Sequence, residues 1–300
     1  MNAPLRSQAI EQLIAAIPSG FADPAADYRQ VRATMAPFHG HAVDATTHIE
    51  LTELNGVRSG WCWTADNAES TRIVFYCHGG AFVSCDLDVY HFYAEIISRQ
   101  TGAKVLTVDY RLAPEQPWPA AHDDCFHAYQ GLLTSGVAAQ DIIVMGESCG
   151  GSLALAALVR ARDAGLAMPA AFVSLTGWFD LSVSIENSSG GIDPFLHPAW
   201  VRKRACDYIA GQLPLDDPAV SPAFAELAGL PVLYLQAGEY DSVVEAVNTL
   251  ASRARAAGVE VVLEHWPGMI HGWHGLVNMG IEESRRAWRD IKSFIDSRQT

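Results

Sequence analysis

Nowhere in this chain do about 18 apolar residues run together, so no membrane-spanning helix is expected. Positive charge is scarce: 20 lysines and arginines face 34 aspartates and glutamates, for a net charge of -14. That balance gives phosphate backbones and anionic lipids nothing to attract, so neither nucleic acid nor a membrane surface is expected as a partner. The six cysteines (62, 77, 85, 125, 149 and 206) form no C-x-x-C pair and stand at no zinc-finger spacing with histidine. No metal is called for. The opening MNAPLRSQAIEQLIAAIPSG is interrupted by Glu11 and Gln12 and shows no clear signal-peptide core. Free thiols in a reducing cytoplasm are the simplest expectation.

What the chain does have is apolar residues in abundance, 49% of 300, enough for a large core. Ile10, Leu13, Ile14 and Ile17 recur at a helical period, and residues 24–36 continue it, with Pro24 suited to a first turn. Then THIELTEL and SGWCWTA flank Asn55-Gly56, a strong hairpin signal. From residue 72 short apolar runs alternate with helical stretches: IVFYC, VLTVDY, IIVMG, AFVSLTG, VLYLQAG and EVVLEHW. Five of the six are continuous runs, as strands buried on both faces require. The class is α/β, with a mostly parallel central sheet covered by helices on both faces. Residues 178–230 are too long for a simple crossover and carry Trp178, Phe179, Phe195, Trp200 and Tyr208, which suggests a lid. The expected organisation is N-terminal cap helices over 1–45 and a catalytic domain over 46–300, with a cap insertion at about 178–230.

Two motifs carry chemistry. Gly146-Glu147-Ser148-Cys149-Gly150 joins an apolar strand to a helix expected to open near Ser152. That is the strand–turn–helix context in which a G-x-S-x-G serine becomes a nucleophile, and it defines an α/β-hydrolase fold. His78-Gly79-Gly80-Ala81 ends the first parallel strand, and its glycines let backbone N–H groups approach a developing oxyanion. The expected oxyanion hole comprises the loop Gly79, Gly80 and Ala81 together with Cys149. His78 reads as an organiser of this loop. The general base is expected to be His271, after the last strand run; His265 reads as a packed strand residue and His274 as a surface or pocket neighbour. A neutral histidine base titrates near ~6.5 when unperturbed. Asp241 is the expected acid and Asp180 its rival, while Glu239 and Glu245 read as helix-start or solvated carboxylates. Phe82, Trp178, Trp200, Tyr208 and Trp273 are candidate walls of a substrate pocket.

With these residues in view, the sequence resembles the hormone-sensitive-lipase-like family of bacterial esterases. The resemblance covers about residues 70–295. It rests on His78-Gly79-Gly80-Ala81-Phe82, DYRLAPEQPWPAAHDD, GESCGGSLA, DPAVSP, GEYDSVVE and GMIHGW. It implies a helical cap, no cofactor, hydrolysis of short or medium acyl esters, and a triad of Ser148, Asp241 and His271. It also implies a structural role for Arg111 and Glu115. The chain departs from that pattern at Ala81, Glu147 and Cys149, where a glycine, an aspartate and an alanine are usual. A small neutral ester or a lactone would serve as substrate, and a homodimer is possible. A receptor on the same fold would be the alternative class, but such receptors lack the histidine that stands here as His271.

Overall fold

The computed structural model describes residues 8–16, 23–35, 42–182, 193 and 196–298. Eight strands form one sheet: β1 Thr47–Leu54, β2 Val57–Thr64, β3 Ile73–Cys77, β4 Lys104–Val108, β5 Ile142–Glu147, β6 Ala171–Leu175, β7 Leu233–Gly238 and β8 Val261–Trp266. Their spatial order is β1-β2-β4-β3-β5-β6-β7-β8. The β1–β2 and β2–β4 pairs are antiparallel and all others parallel. Asn55 and Gly56 turn the first hairpin with φ of 48° and 82°, the two positive values a tight hairpin turn needs.

Because strand side chains alternate, each central strand serves two cores. Phe75 and Cys77 face the cluster completed by helices α4 Ala120–Thr134, α5 Cys149–Asp163 and α7 Val244–Ala256. Val74 and Tyr76 face the opposite cluster, completed by α3 Leu87–Thr101 and α8 Glu282–Asp296. Burial on both faces is why these runs are apolar without a break.

Among the described residues, three more helices lie outside this sandwich: α1 Gln8–Ala16, α2 Tyr28–Met35 and α6 Pro198–Ile209. On α1, Ile10 is buried with Trp266, Met269, Ile270 and Trp273. The second helix starts at Tyr28, later than the Pro24 start expected from sequence. Asp27 stops it there, its carboxylate accepting the N–H groups of Arg29 and Gln30, each at 2.9 Å. From α2, Arg32 donates to the Val83 carbonyl at 2.7 Å and pairs with Glu115 at 2.7 Å. Arg111 pairs likewise with Asp124. The lid candidate Phe195 lies outside the described residues. Among the described residues, no helix is long and apolar enough to cross a membrane.

Candidate active site

The turn after β5 is sharp because Ser148 sits at φ 54°, ψ -127°. Such a conformation costs on the order of 1–3 kcal/mol for a residue with a side chain. Neighbouring glycines let the turn close: a Cβ on Gly150 would come within 2.1 Å of the Cys77 carbonyl oxygen. Strand β6 holds the turn from beside it. Ser148 donates its N–H to the Leu175 carbonyl at 3.1 Å, and its own carbonyl accepts the Trp178 N–H at 2.9 Å. With the chain reversed at Ser148 itself, α5 opens at once on Cys149, three residues before the expected Ser152.

The loop after β3 lies against this turn. Gly80, Ala81 and Phe82 all take positive φ, at 115°, 54° and 66°. Only glycine fits the first of these, since a Cβ there would sit 2.2 Å from the Ser84 carbonyl oxygen. His78 is buried, with Nδ1 2.7 Å from the Gly79 carbonyl oxygen and its ring stacked 4.2 Å from that of Tyr110. Cys149 is the first residue of α5, so its amide is one of the helix-start N–H groups that have no intrahelical acceptor. Its thiol points away from water, accepting the Phe82 N–H at 3.2 Å, and burial pushes its pKa up to about 12. Such a thiol is inert. Cys149→Ala should therefore keep kcat within about tenfold of the parent, a modest cost for one lost weak acceptor. A loss above a hundredfold at unchanged melting temperature would show that the sulfur takes part in the reaction.

The loops after β7 and β8 are laced together. Glu239 donates its N–H to the Trp266 carbonyl at 3.0 Å and Tyr240 to that of Met269 at 2.9 Å. The Glu239 carboxylate accepts the Gly268 N–H at 2.8 Å, so this residue orders the loop; it is not a solvated acid. The lacing brings His271 Nδ1 to 2.9 Å from Asp241 Oδ1, with both residues buried. In the neutral ring this contact favours the proton on Nδ1, which leaves the Nε2 lone pair free to accept one. Burial disfavours the charged imidazole, but the charge and hydrogen bond of Asp241 outweigh it, and the His271 pKa rises to about 9. A pH limb governed by His271 therefore lies above the ~6.5 of a free histidine.

Ser148 and His271 line one cavity of about 110 Å³. Gly80, Ala81, Glu147 and Trp178 line it too, with Val31 from α2 and Trp200 from α6. The structure thus brings together Ser148, His271, the loop Gly79–Ala81 and two of the five aromatic candidates, with Asp241 behind His271. Phe82 and Tyr208 are elsewhere: their rings stack 3.9 Å apart in the core and are fully buried. Trp273 is also fully buried, between Trp266 and His274. These three are structural because their faces are already covered by other rings. Asp180 caps its own turn, its carboxylate accepting the Ser182 N–H at 2.8 Å. His274, expected as a surface or pocket neighbour, is fully buried, with Nε2 2.7 Å from Gln236 Oε1; His265, expected to pack, is exposed on edge strand β8. Asp193 was not singled out from the sequence. It is buried and accepts N–H groups from Leu196 at 3.2 Å and Ser242 at 3.0 Å, tying its segment to the Asp241 loop.

A cavity-lining serine and a buried histidine–carboxylate pair beside a glycine-rich loop invite comparison with hydrolases. Residues 74–275 match the family described as alpha/beta hydrolase fold. The chain belongs to that family. An acetyl-hydrolase of Streptomyces hygroscopicus is 34% identical over 262 residues, covering 86% of this chain and 87% of that protein. An esterase of Acinetobacter venetianus is 32% identical over 254 residues, covering 84% and 83%. Among solved structures, a mutant of the esterase E40 matches with a TM-score of 0.91 at 31% identity, over 99% of this chain and 100% of that one. An esterase from the bacterial hormone-sensitive lipase family matches at 0.87 and 32%, over 99% and 100%. The protein is thus a carboxylesterase-type α/β hydrolase of the hormone-sensitive-lipase-like kind.

Proposed function

We propose that this esterase cleaves short to medium acyl esters through an acyl-enzyme on Ser148. His271 Nε2 takes the Ser148 hydroxyl proton as Oγ attacks the ester carbonyl. The carbonyl oxygen becomes an oxyanion facing the amides of Gly80 and Ala81, in the loop that Gly79 begins, and that of Cys149 at the start of α5. The C–O bond to the alcohol breaks, and the imidazolium returns its proton to the leaving oxygen. Water then repeats the sequence, releasing the acid and restoring Ser148. Asp241 keeps the imidazole in the required tautomer and stabilises its charged form. The observation that carries this reading is a positive-φ serine sharing one cavity with a histidine hydrogen-bonded to a buried carboxylate.

The N-terminal helices and the 178–230 insertion act in this reading as a cap. Val31, Thr34 and Met35 of α2, with Trp200 and Val201 of α6, close the cavity over Ser148. A neutral small ester suits its mostly apolar walls, a lactone needs no other residue, and the six free thiols fit a reducing cytoplasm. A cavity of about 110 Å³ is smaller than the ~150 Å³ that accommodates a benzene ring. Each methylene that still fits is worth about 0.8 kcal/mol, and one that must displace packed side chains costs more than it gains. Across p-nitrophenyl esters from acetate to palmitate, kcat/KM should rise over the first few carbons and then collapse. Vigorous hydrolysis of the longest esters would overturn the closed-cap reading while leaving the serine chemistry intact.

A further inference from the structure

Glu147 stands immediately before Ser148, at the end of β5. It is half-buried and lines the same cavity as Ser148 and His271. One of its oxygens, Oε2, accepts two hydroxyls: Tyr76 from β3 at 3.0 Å and Tyr90 from α3 at 3.3 Å. The tyrosines are themselves fixed by ring contacts, Tyr76 stacking 5.9 Å from Tyr93 and Tyr90 lying 5.0 Å from His78. With Oε2 clamped, Oε1 lies beside the loop that carries His271: a Cβ on Gly272 would be 3.4 Å from it.

A carboxylate placed in a mostly apolar cavity is costly unless a positive charge answers it. None of the described residues lining the cavity is a lysine or arginine, so the imidazolium of His271 is the cation within reach. Burial pushes the Glu147 carboxyl pKa up, and the charge of His271 and the two tyrosine hydroxyls pull it back down. We propose that Glu147 is a positioning residue of the reaction, a second carboxylate that stabilises the charged form of His271 alongside Asp241 while Tyr76 and Tyr90 hold it in place. The proposal rests on His271 being the general base.

The other groups around the pair can be named. His271 faces Asp241, Asp193 and Glu147, and its neighbour His274 stays neutral because burial and the charge of His271 push its pKa down to about 3. Glu147 faces Tyr76, Tyr90 and Tyr93, whose hydroxyls burial holds well above the usual tyrosine range. The Cys85 and Cys149 thiols nearby are raised by burial as well. These hydroxyls and thiols remain protonated while His271 titrates. Removing the Glu147 charge should therefore make the imidazolium harder to form.

The test is Glu147→Gln, read in two ways. The first is the NMR titration of the His271 ring in a Ser148→Ala background, its signal assigned by loss in His271→Asn. The second is the pH profile of kcat/KM in the otherwise intact enzyme. The His271 midpoint should fall by roughly one unit in both, as expected for losing a nearby opposite charge. The alkaline plateau of kcat/KM should fall by about tenfold, the equivalent of that unit. Glu147→Asp, which keeps the charge on a shorter arm, should lie between parent and glutamine variant. Where the glutamine variant does not fold, Tyr90→Phe serves: with one clamp lost the carboxylate is held less firmly beside the His271 loop, and the His271 midpoint should fall by a smaller amount. An unchanged His271 midpoint in either variant would overturn the proposal. Failure of the Ser148 reading would show differently, as activity surviving Ser148→Ala, while the NMR titration would still answer for Glu147.

Discussion

Ser148→Ala and His271→Ala should each lower kcat by about 10⁴- to 10⁶-fold, and the double variant should be no worse than either, because the residues act as one unit. The fold should survive both changes. The Ser148 backbone is held by the Leu175 carbonyl and the Trp178 amide, and both side chains end at the cavity. A third substitution separates chemistry from strain. Ser148→Gly relieves a φ of 54° and should raise the melting temperature even as it abolishes turnover. Retention of more than about a hundredth of parental kcat by Ser148→Ala, far above the residual activity of a broken triad, would remove the nucleophile from the account.

Asp241→Asn should cost about 10⁴-fold in kcat, since the amide holds the imidazole in the wrong tautomer while preserving its position. It should also bring the pH limb of the residual activity down from about 9, because the charge and hydrogen bond of Asp241 are what lift the His271 pKa against burial. The sign follows from the base role: neutral His271 is the active form, so a lower pKa extends activity toward acid. Asp180→Asn should remain near the parent, because among the described residues that carboxylate caps its own turn through Ser182. The opposite pairing, with Asp180→Asn crippled and Asp241→Asn intact, would reassign the acid.

Much of this was legible from residue order because the physics is local. Strands buried on both faces must be apolar throughout, so IVFYC and IIVMG announce themselves; Asn55-Gly56 permits a turn few other pairs permit. Gly80, Gly146 and Gly150 mark places where backbone must come unusually close. What residue order concealed is which side chains share a wall. Phe82, Tyr208 and Trp273 have the same chemistry as Trp178 and Trp200, and only packing decides that the first three stack inside the core. Exposure of His265 follows from β8 being the sheet edge, and burial of His274 from its packing against Gln236 and helix α8; the order of strands along the chain reveals neither. Asp193 gave no signal because the N–H groups it accepts, those of Leu196 and Ser242, are backbone groups that carry no residue signature. Glu147 was visible as a departure from the family pattern. Its meaning required Tyr76 and Tyr90, which lie 71 and 57 residues away in sequence.

The central claim is that Ser148 is the residue that becomes covalently acylated, and one mass measurement tests it. The intact protein is treated with a fluorophosphonate, which reacts with a hydroxyl activated by a neighbouring imidazole. A single adduct per chain is predicted, located by peptide fragmentation to Ser148, with label lost in Ser148→Ala and in His271→Ala. An adduct on another residue, or undiminished labelling of Ser148→Ala, would contradict the account.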